Sequence, residues 1–263
     1  ISPLNNTNPL HRLDKYGLIG FPLGHSFSIS YFNEKFENEN IDAKYENFEI
    51  PKIEALPEVL DSNPDLKGLN VTIPYKEKVI SYLDSISPEA RAIGAVNVIR
   101  VTRKGEKIIL KGFNSYVICF TKSIEPMLEK FHKKALILGT GGASKAINYG
   151  LKSLGLETLF VSRSTKGKDC ILYQDITPEM MQEYNVIVNC TPLGMYPHTD
   201  ECPQLPYEAM NMKTILYDLI YNPDETQFMK RGAEHGATTK NGLEMLLLQA
   251  FASWEFWNGK EQK

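Results

Sequence analysis

The sequence predicts an α/β protein with two domains, and three observations lead to this prediction. Short apolar runs alternate with helical patterns along most of the chain, an order typical of sheets with parallel strands. A glycine-rich turn, Gly139 to Gly142, separates an apolar run from a helical pattern near mid-chain, and the alternation resumes after it. A length of 263 residues suits one large or two modest α/β domains.

The first part of the chain has the pattern of a β-α-β-α-β unit. Apolar or alternating runs predict strands at 15–20, 44–50 and 66–73. Helical patterns fill the segments between them, the first ending near Asn38 and the second covering 52–60. Because strands joined through helices run parallel in one sheet, a mainly parallel sheet is expected here.

Proline and glycine residues then mark the boundaries of the next elements. Pro74 closes the third strand, and a helix is predicted over 75–83. Two further apolar runs flank Lys104 and Gly105, a pair typical of a hairpin turn. A predicted helix over 116–132 would connect the two domains.

The second domain opens with the glycine turn. A strand is predicted at 134–138, glycines follow at Gly139, Gly141 and Gly142, and a helix begins after them. Such glycines let a pyrophosphate approach the backbone, and the helix N-terminus offers free N–H groups to the phosphates. Ser144 stands at the third position of G-x-G-x-x-G/A, so the fingerprint is imperfect. We predict a Rossmann-like, doubly wound domain. The alternative is a turn that needs glycine only for its backbone angles.

The residues after the next predicted strand indicate which dinucleotide binds. That strand, 157–162, ends about twenty residues past the glycines, where an NAD site usually has an acidic residue. Here Ser162, Arg163 and Ser164 begin a basic loop with no acid before Asp169. A guanidinium can pair with a 2′-phosphate through two hydrogen bonds, so NADP is the predicted cofactor. A solvated basic loop is the alternative.

Later segments add candidate site residues. Two apolar runs read as buried strands that end near Thr191 and in the loop 218–223. Ligands gather at the carboxyl ends of parallel strands, so both places are candidates. The last helix, 241–257, is apolar around most of its circumference, and Gln249 is its polar exception. A buried amide there needs partners, which backbone groups or a polar ligand could supply.

Composition excludes several functional classes. A net charge of -3 and a pI near 6.0 argue against a nucleic-acid partner. The apolar stretches are too short for a bilayer, and the cysteines and histidines lack metal-ligand spacing, so no membrane, metal or disulfide framework is expected. With no secretory signal visible, a cytoplasmic protein is expected. Residues 1–13 lack periodicity and look like an appended or upstream segment.

Several separate motifs occur along the chain in one order. They are Gly-Phe-Pro-Leu-Gly-His-Ser-Phe-Ser at 20–28, Asn-Val-Thr-Ile-Pro-Tyr-Lys at 70–76, Gly-Ala-Val-Asn at 94–97, the glycine turn, Asn-Cys-Thr-Pro-Leu-Gly-Met at 189–195, Asp-Leu-Ile-Tyr-Asn-Pro at 218–223 and Asn-Gly-Leu-Glu-Met-Leu-Leu-Leu-Gln at 241–249. Through them the chain resembles the shikimate dehydrogenase family over roughly residues 15 to 257.

The resemblance implies a fold and an activity. Members of this family reduce 3-dehydroshikimate to shikimate with NADPH, a step of aromatic amino-acid biosynthesis. It implies a substrate domain formed by 14–118 with 241–263, an NADP domain formed by 119–240, and a C-terminal helix that returns to the first domain. The expected partner is a small-molecule substrate, and a monomer or homodimer is expected.

The resemblance also implies roles for individual residues. Lys76 would be the catalytic acid/base, and Ser26 and Ser28 would bind the substrate carboxylate. Other substrate contacts would come from Thr72, Asn97, Tyr221 and Gln249. The implied cofactor residues are Gly139, Gly141, Gly142, Ala143, Ser162, Arg163, Ser164, Thr191, Leu219 and Gly242.

One motif departs from the family pattern. The family has G-x-N-T-D-x-x-G-F, whereas residues 112–120 read Gly-Phe-Asn-Ser-Tyr-Val-Ile-Cys-Phe, which puts Tyr116 at the aspartate and Cys119 at the second glycine. A phenol is neutral near pH 7 and cannot accept two hydrogen bonds as a carboxylate does. We therefore predict slow turnover of shikimate on an intact fold. Two alternatives stay open, a quinate-using dehydrogenase of this family and a non-catalytic protein that binds NADP or shikimate.

Overall fold

The computed structural model describes residues 13–24, 26–164 and 166–260. The chain divides into two compact units, which we call the N-terminal unit (Ile1–Asn114 with Ala250–Lys263) and the central unit (Ser115–Gln249). The domain boundaries implied by the family resemblance stay a prediction. The first twelve residues of the segment expected to be appended lie outside the described residues.

The N-terminal unit is an α/β unit with one mixed sheet, whose strand order is β2-β1-β3-β5-β6-β4. Strands β1, β2 and β3 are parallel to one another, as the sequence predicts, while β5 and β6 form an antiparallel hairpin around Gly105. The elements are β1 Asp14–Gly20, α1 Phe27–Asn38, β2 Ala43–Glu49, α2 Leu56–Ser62, β3 Leu66–Val71, β4 Ser85–Ile86, α3 Pro88–Ile93, β5 Val98–Lys104 and β6 Lys107–Phe113.

The helix predicted over 75–83 is wrong, because only a short 3-10 turn forms there, at Lys78–Tyr82. The Lys76 carbonyl accepts a hydrogen bond from Val96 N at 2.8 Å, so it is not available to an α-helical ladder. Tyr75 is buried and donates its hydroxyl to the carbonyl of Ile50. Tertiary contacts therefore override the local helical pattern.

The central unit has a fully parallel sheet with strand order β12-β11-β10-β7-β8-β9. The elements are α4 Tyr116–Ile124, β7 Lys134–Leu138, α5 Gly142–Ser153, β8 Glu157–Ser162, β9 Cys170–Leu172, α6 Met180–Glu183, β10 Val186–Asn189, β11 Ile215–Asp218, α7 Gln227–Glu234, β12 Thr238–Lys240 and α8 Leu243–Trp257. The chain leaves β7 toward β8 and β9, then returns to β10 on the other side of β7. The doubly wound prediction is confirmed, and the strand order reverses between β7 and β10.

Helix α4 is shorter than predicted, whereas the last helix returns to the N-terminal unit as predicted. Helix α4 ends at Ile124 and is followed by a 3-10 turn containing Pro126, which shortens the helix predicted over 116–132. The last residues of α8 belong to the N-terminal unit, where Trp257 stacks on Tyr16 with ring centroids 4.7 Å apart. Among the described residues, no helix has the length and apolar content needed to cross a membrane.

Candidate functional site

The central sheet has a crevice at its carboxyl edge, between β7 and β10. Asn189 pairs with Leu138 at the ends of these strands, so the glycine turn and the loop 190–193 lie side by side. A cavity of about 370 Å³ lies here, at the topological switch point where open parallel sheets bind ligands. The predicted cofactor residues that line it are Gly139, Gly141, Ser162, Arg163, Ser164 and Thr191.

The three glycines of the turn have different reasons to be glycine. Gly139 has a φ of +111°, a conformation that strains any other residue. Gly141 has an ordinary φ of -78°, and a Cβ built at Gly141 or Gly142 meets no protein atom within 4 Å. The fold itself does not require glycine at these two positions. The open space in front of the α5 N-terminus therefore fits a phosphate group held close to the backbone.

Ser144, the imperfect position of the fingerprint, is accommodated by a local hydrogen bond. Its side chain is 1 % exposed, and its hydroxyl donates to the Gly141 carbonyl at 2.5 Å. A serine can therefore replace the small residue expected there without leaving a buried polar group unsatisfied.

The far side of the cavity is basic and aromatic. Arg163 is exposed and follows β8, and Tyr173 contributes to the lining. Burial raises the pKa of Tyr173 to about 12, and the nearby Arg163 guanidinium opposes part of that increase. No acidic side chain lines the cavity among the described residues. A cationic side chain without a competing carboxylate suits the 2′-phosphate of NADP.

Thr191 lies in the cavity wall, but its hydroxyl serves its own loop. The hydroxyl donates to Asn189 Oδ1 at 2.6 Å and accepts from Leu193 N at 3.2 Å. Its methyl carbon lies 3.4 Å from the position that a Cβ would take at Gly139. The Thr191 hydroxyl is therefore engaged within its own loop, while the residue still lines the cavity.

The other predicted cofactor residues do not line the cavity. Gly142 and Ala143 begin helix α5, while Leu219 and Gly242 lie together elsewhere in the central unit. A Cβ at Gly242 would collide with the Leu219 carbonyl, and Gly242 N donates to Ile220 O at 3.0 Å. The glycine is thus needed for a close backbone approach between the β11 loop and the start of α8.

Two predicted substrate residues also belong to the central unit. Tyr221 is 47 % exposed in the loop after β11, and Gln249 is partly buried on α8. The structure does not place either side chain in the cavity at the switch point.

The N-terminal unit brings two predicted substrate residues and the predicted catalytic lysine to one edge of its sheet. Because β5 runs antiparallel to β3, Asn97 at its start lies at the end of β3, and Val71 N donates to Asn97 O at 2.9 Å. Thr72 follows β3, and the Lys76 carbonyl bonds to Val96 N beside Asn97. Thr72, Lys76 and Asn97 therefore form one group, which we call the substrate edge.

Ser26 and Ser28 lie at the start of α1. Ser26 caps this helix, and its hydroxyl accepts from Ser28 N at 3.2 Å. The Ser28 side chain hydrogen-bonds the buried phenol of Tyr45, which donates to Asn70 Oδ1 at 2.9 Å. Tyr45 and Asn70 thus connect Ser28 to β3. Sequence reasoning missed both as site residues, although Asn70 opens the quoted motif 70–76.

Tyr116 is the first residue of α4 and is partly buried. The first turn of this helix contains no acidic residue. Cys119 is 2 % exposed, and its N–H donates to Ser115 O at 3.1 Å. Cys119, which stands at a glycine of the family pattern, is accommodated within a regular helix. The substitution at 116 therefore changes the chemistry of the segment while its helical fold is retained.

Comparison with known proteins gives a consistent result. A family model described as "Shikimate dehydrogenase substrate binding domain" matches residues 18–99. The shikimate dehydrogenase (NADP(+)) of Carboxydothermus hydrogenoformans is 38% identical over 259 residues, covering 92% of this chain and 91% of the relative.

Solved structures agree with the sequence comparison. A chorismate mutase/shikimate 5-dehydrogenase fusion protein from Clostridium acetobutylicum has a TM-score of 0.82 and 39% identity, covering 96% of this chain and 93% of that one. The shikimate 5-dehydrogenase of Thermus thermophilus, in complex with NADP(H) and shikimate, has a TM-score of 0.78 and 29% identity, with 93% of each chain covered.

Proposed function

The chain belongs to the shikimate dehydrogenase family, and we propose that it catalyses the NADP-dependent, reversible reduction of 3-dehydroshikimate to shikimate. The observation that carries the substrate assignment is the substrate edge, which groups neutral hydrogen-bonding side chains with one lysine. A small ring with a carboxylate and several hydroxyls needs short neutral partners and a proton donor. The relatives named above support the same reaction.

The cofactor assignment rests on the central unit. Arg163 supplies the cation for the 2′-phosphate, and Gly141 and Gly142 leave space for the pyrophosphate at the α5 N-terminus. When bound, NADPH supplies the hydride for ketone reduction. The residues of this chain hold and orient NADPH, and those that the structure describes place no acidic side chain beside its phosphates.

Lys76 is the proposed proton donor. Its ammonium stabilises the developing alkoxide and then transfers a proton to it. The backbone bond between Lys76 O and Val96 N fixes the turn from which the side chain projects. Ser26 and Ser28 are proposed to bind the substrate carboxylate, and Thr72, Asn97, Tyr221 and Gln249 its other polar groups. Gly242 is proposed to lie near the nicotinamide side.

The proposal includes an impaired catalytic step. A carboxylate at position 116 would accept hydrogen bonds from substrate hydroxyls and keep a lysine charged and aimed, and the Tyr116 phenol cannot do this. The Tyr116→Asp variant should oxidise shikimate faster than the unaltered chain, by about 10²-fold, the lower end of what positioned acid-base groups contribute. Steady-state NADPH formation measures this rate.

The matched control is Cys119→Gly, which restores the other family residue on the same helix. Because Cys119 is buried in a regular helix, we expect this change to leave turnover nearly unaltered. Equal rates for the unaltered chain and Tyr116→Asp would refute the impairment. The same assay, run with shikimate or quinate and with NADP or NAD, tests which substrate and which cofactor the protein uses. We further propose a cytoplasmic location and a monomeric or homodimeric state.

A further inference from the structure

A buried aspartate lies directly behind the loop that forms one wall of the cofactor cavity. Asp218 ends β11, is 0 % exposed, and pairs in register with Asn189 at the end of β10. Its Oδ1 accepts from Asn189 Nδ2 at 3.2 Å and from Ile220 N at 3.0 Å, and its Oδ2 accepts from Thr226 Oγ1 at 2.7 Å. No side chain of the described residues forms a salt bridge with it at 4 Å or less.

The acceptor-only carboxylate fixes the orientation of the Asn189 amide. Because Asp218 Oδ1 requires a donor, the NH₂ group of Asn189 faces it and the amide oxygen faces the opposite way. That oxygen accepts from both Thr191 N, at 3.1 Å, and Thr191 Oγ1, at 2.6 Å. The Thr191 hydroxyl in turn accepts from Leu193 N. Each group in this series therefore donates toward Asp218. Leu193 N donates to the Thr191 hydroxyl, that hydroxyl donates to Asn189, and the Asn189 amide donates to Asp218.

We propose that Asp218 is a positioning residue of the cofactor site, which acts through Asn189 and Thr191 to hold the cavity wall formed by residues 190–193. This inference rests on the proposed use of NADP. It gives a function to a buried polar group that does not itself line the cavity. A flipped Asn189 amide would present NH₂ to the Thr191 N–H, so that hydrogen bond would be lost, and the Thr191 hydroxyl would have to accept from Asn189 where it now donates.

The surroundings of Asp218 indicate that it positions the loop through the geometry of its hydrogen bonds and not through its negative charge. Burial raises the pKa of Asp218 to about 6, and the hydrogen bonds from Thr226, Ile220 and Asn189 oppose the increase. The titratable group facing it from the β10 loop is the Cys190 thiol, whose pKa burial also raises, so this thiol is neutral. An asparagine at 218 can keep its oxygen toward Asn189 and Ile220 and donate its NH₂ to the Thr226 hydroxyl.

The test compares Asp218→Ala with Asp218→Asn by calorimetric titration of NADP⁺ into the folded full chain. Asp218→Ala should weaken NADP⁺ binding about tenfold, as loss of one well-made hydrogen-bond arrangement does. Asp218→Asn should bind within about twofold of the unaltered chain. Its melting temperature at pH 8 should be equal or higher, because ionising a buried group whose pKa is raised costs stability above that pKa. A merely structural aspartate would lower the melting temperature of Asp218→Ala and leave its NADP⁺ affinity unchanged, which would overturn the proposal.

A second pair of variants keeps the proposal falsifiable if Asp218→Ala does not fold. Thr191→Val removes the hydroxyl that Asn189 orients, whereas Thr191→Ser keeps it. We expect weaker NADP⁺ binding only in the valine variant, and equal affinities would contradict the proposal. Where Asp218→Ala folds, combining it with Thr191→Val should weaken binding less than the two separate effects predict. If the unaltered chain does not bind NADP⁺ at all, the proposed cofactor is wrong, a result distinct from failure of this inference.

Discussion

The cofactor crevice of the central unit and the substrate edge of the N-terminal unit are built in different ways. In the crevice, glycines at a strand end leave the main chain accessible, and hydrogen bonds inside the fold hold the loop beside them. The substrate edge presents side chains, among them Lys76 and Thr72, which are only partly buried. A site made of backbone is protected by the fold itself, whereas a site made of side chains can lose its chemistry through one substitution. The loss of chemistry proposed at Tyr116 would be an instance of the second case, on a segment whose helix is intact.

The largest effect is expected at the substrate edge. Lys76→Met should lower kcat by about 10² to 10⁴-fold, the contribution of a positioned acid-base group. The measurement is made in the Tyr116→Asp background, so that the starting rate is high enough to quantify. NADP⁺ affinity, measured by calorimetry, should stay unchanged because Lys76 belongs to the other unit. A kcat equal to that of the background variant would remove Lys76 from the mechanism.

Sequence reasoning succeeded where structure depends on local pattern. The strands on both sides of the glycine turn and the hairpin at Gly105 follow from periodicity and turn chemistry, and they appear in the structure as predicted. The cavity then gathers Gly139, Arg163 and Thr191, three residues that strand ends and spacing had marked.

The wrong helix over 75–83 has a physical cause, which is competition from partners distant in sequence. The segment 75–83 has a helical pattern, but Val96 occupies the Lys76 carbonyl and the Tyr75 hydroxyl bonds to Ile50. No local pattern reveals which distant group will claim a donor or acceptor.

The next effect concerns Arg163, a charged side chain that lines the crevice. Arg163→Ser should weaken NADP⁺ binding by about 10- to 100-fold, since a hydrogen bond to a charged group contributes about 1.5 to 3 kcal/mol. NAD⁺ affinity should change little, because NAD⁺ lacks the 2′-phosphate. Lys168→Ser removes the same charge from the same loop but outside the cavity lining, and it should have a smaller effect. Equal losses of NADP⁺ affinity in the two variants would show that Arg163 contributes only through the general positive charge of its loop.

The smallest effect separates the two reasons for glycine within the crevice. Gly139→Ala forces a side chain into a φ of +111° and should lower the free energy of unfolding by about 1 to 3 kcal/mol. Gly142→Ala lies in a helix with open space around its Cβ, so it should raise that free energy by about 0.5 kcal/mol. Its methyl group would occupy space proposed for the pyrophosphate, and NADP⁺ binding should weaken by about tenfold.

Urea unfolding without cofactor and NADP⁺ titration measure the two quantities on the same proteins. Opposite signs for stability and affinity in Gly142→Ala would show that this glycine serves the ligand and not the fold. If the alanine variant is both more stable and equally tight in binding, the pyrophosphate does not approach this part of the backbone. The crevice would then hold its cofactor mainly through Arg163 and the loop 190–193, and the contrast between a backbone site and a side-chain site would weaken accordingly.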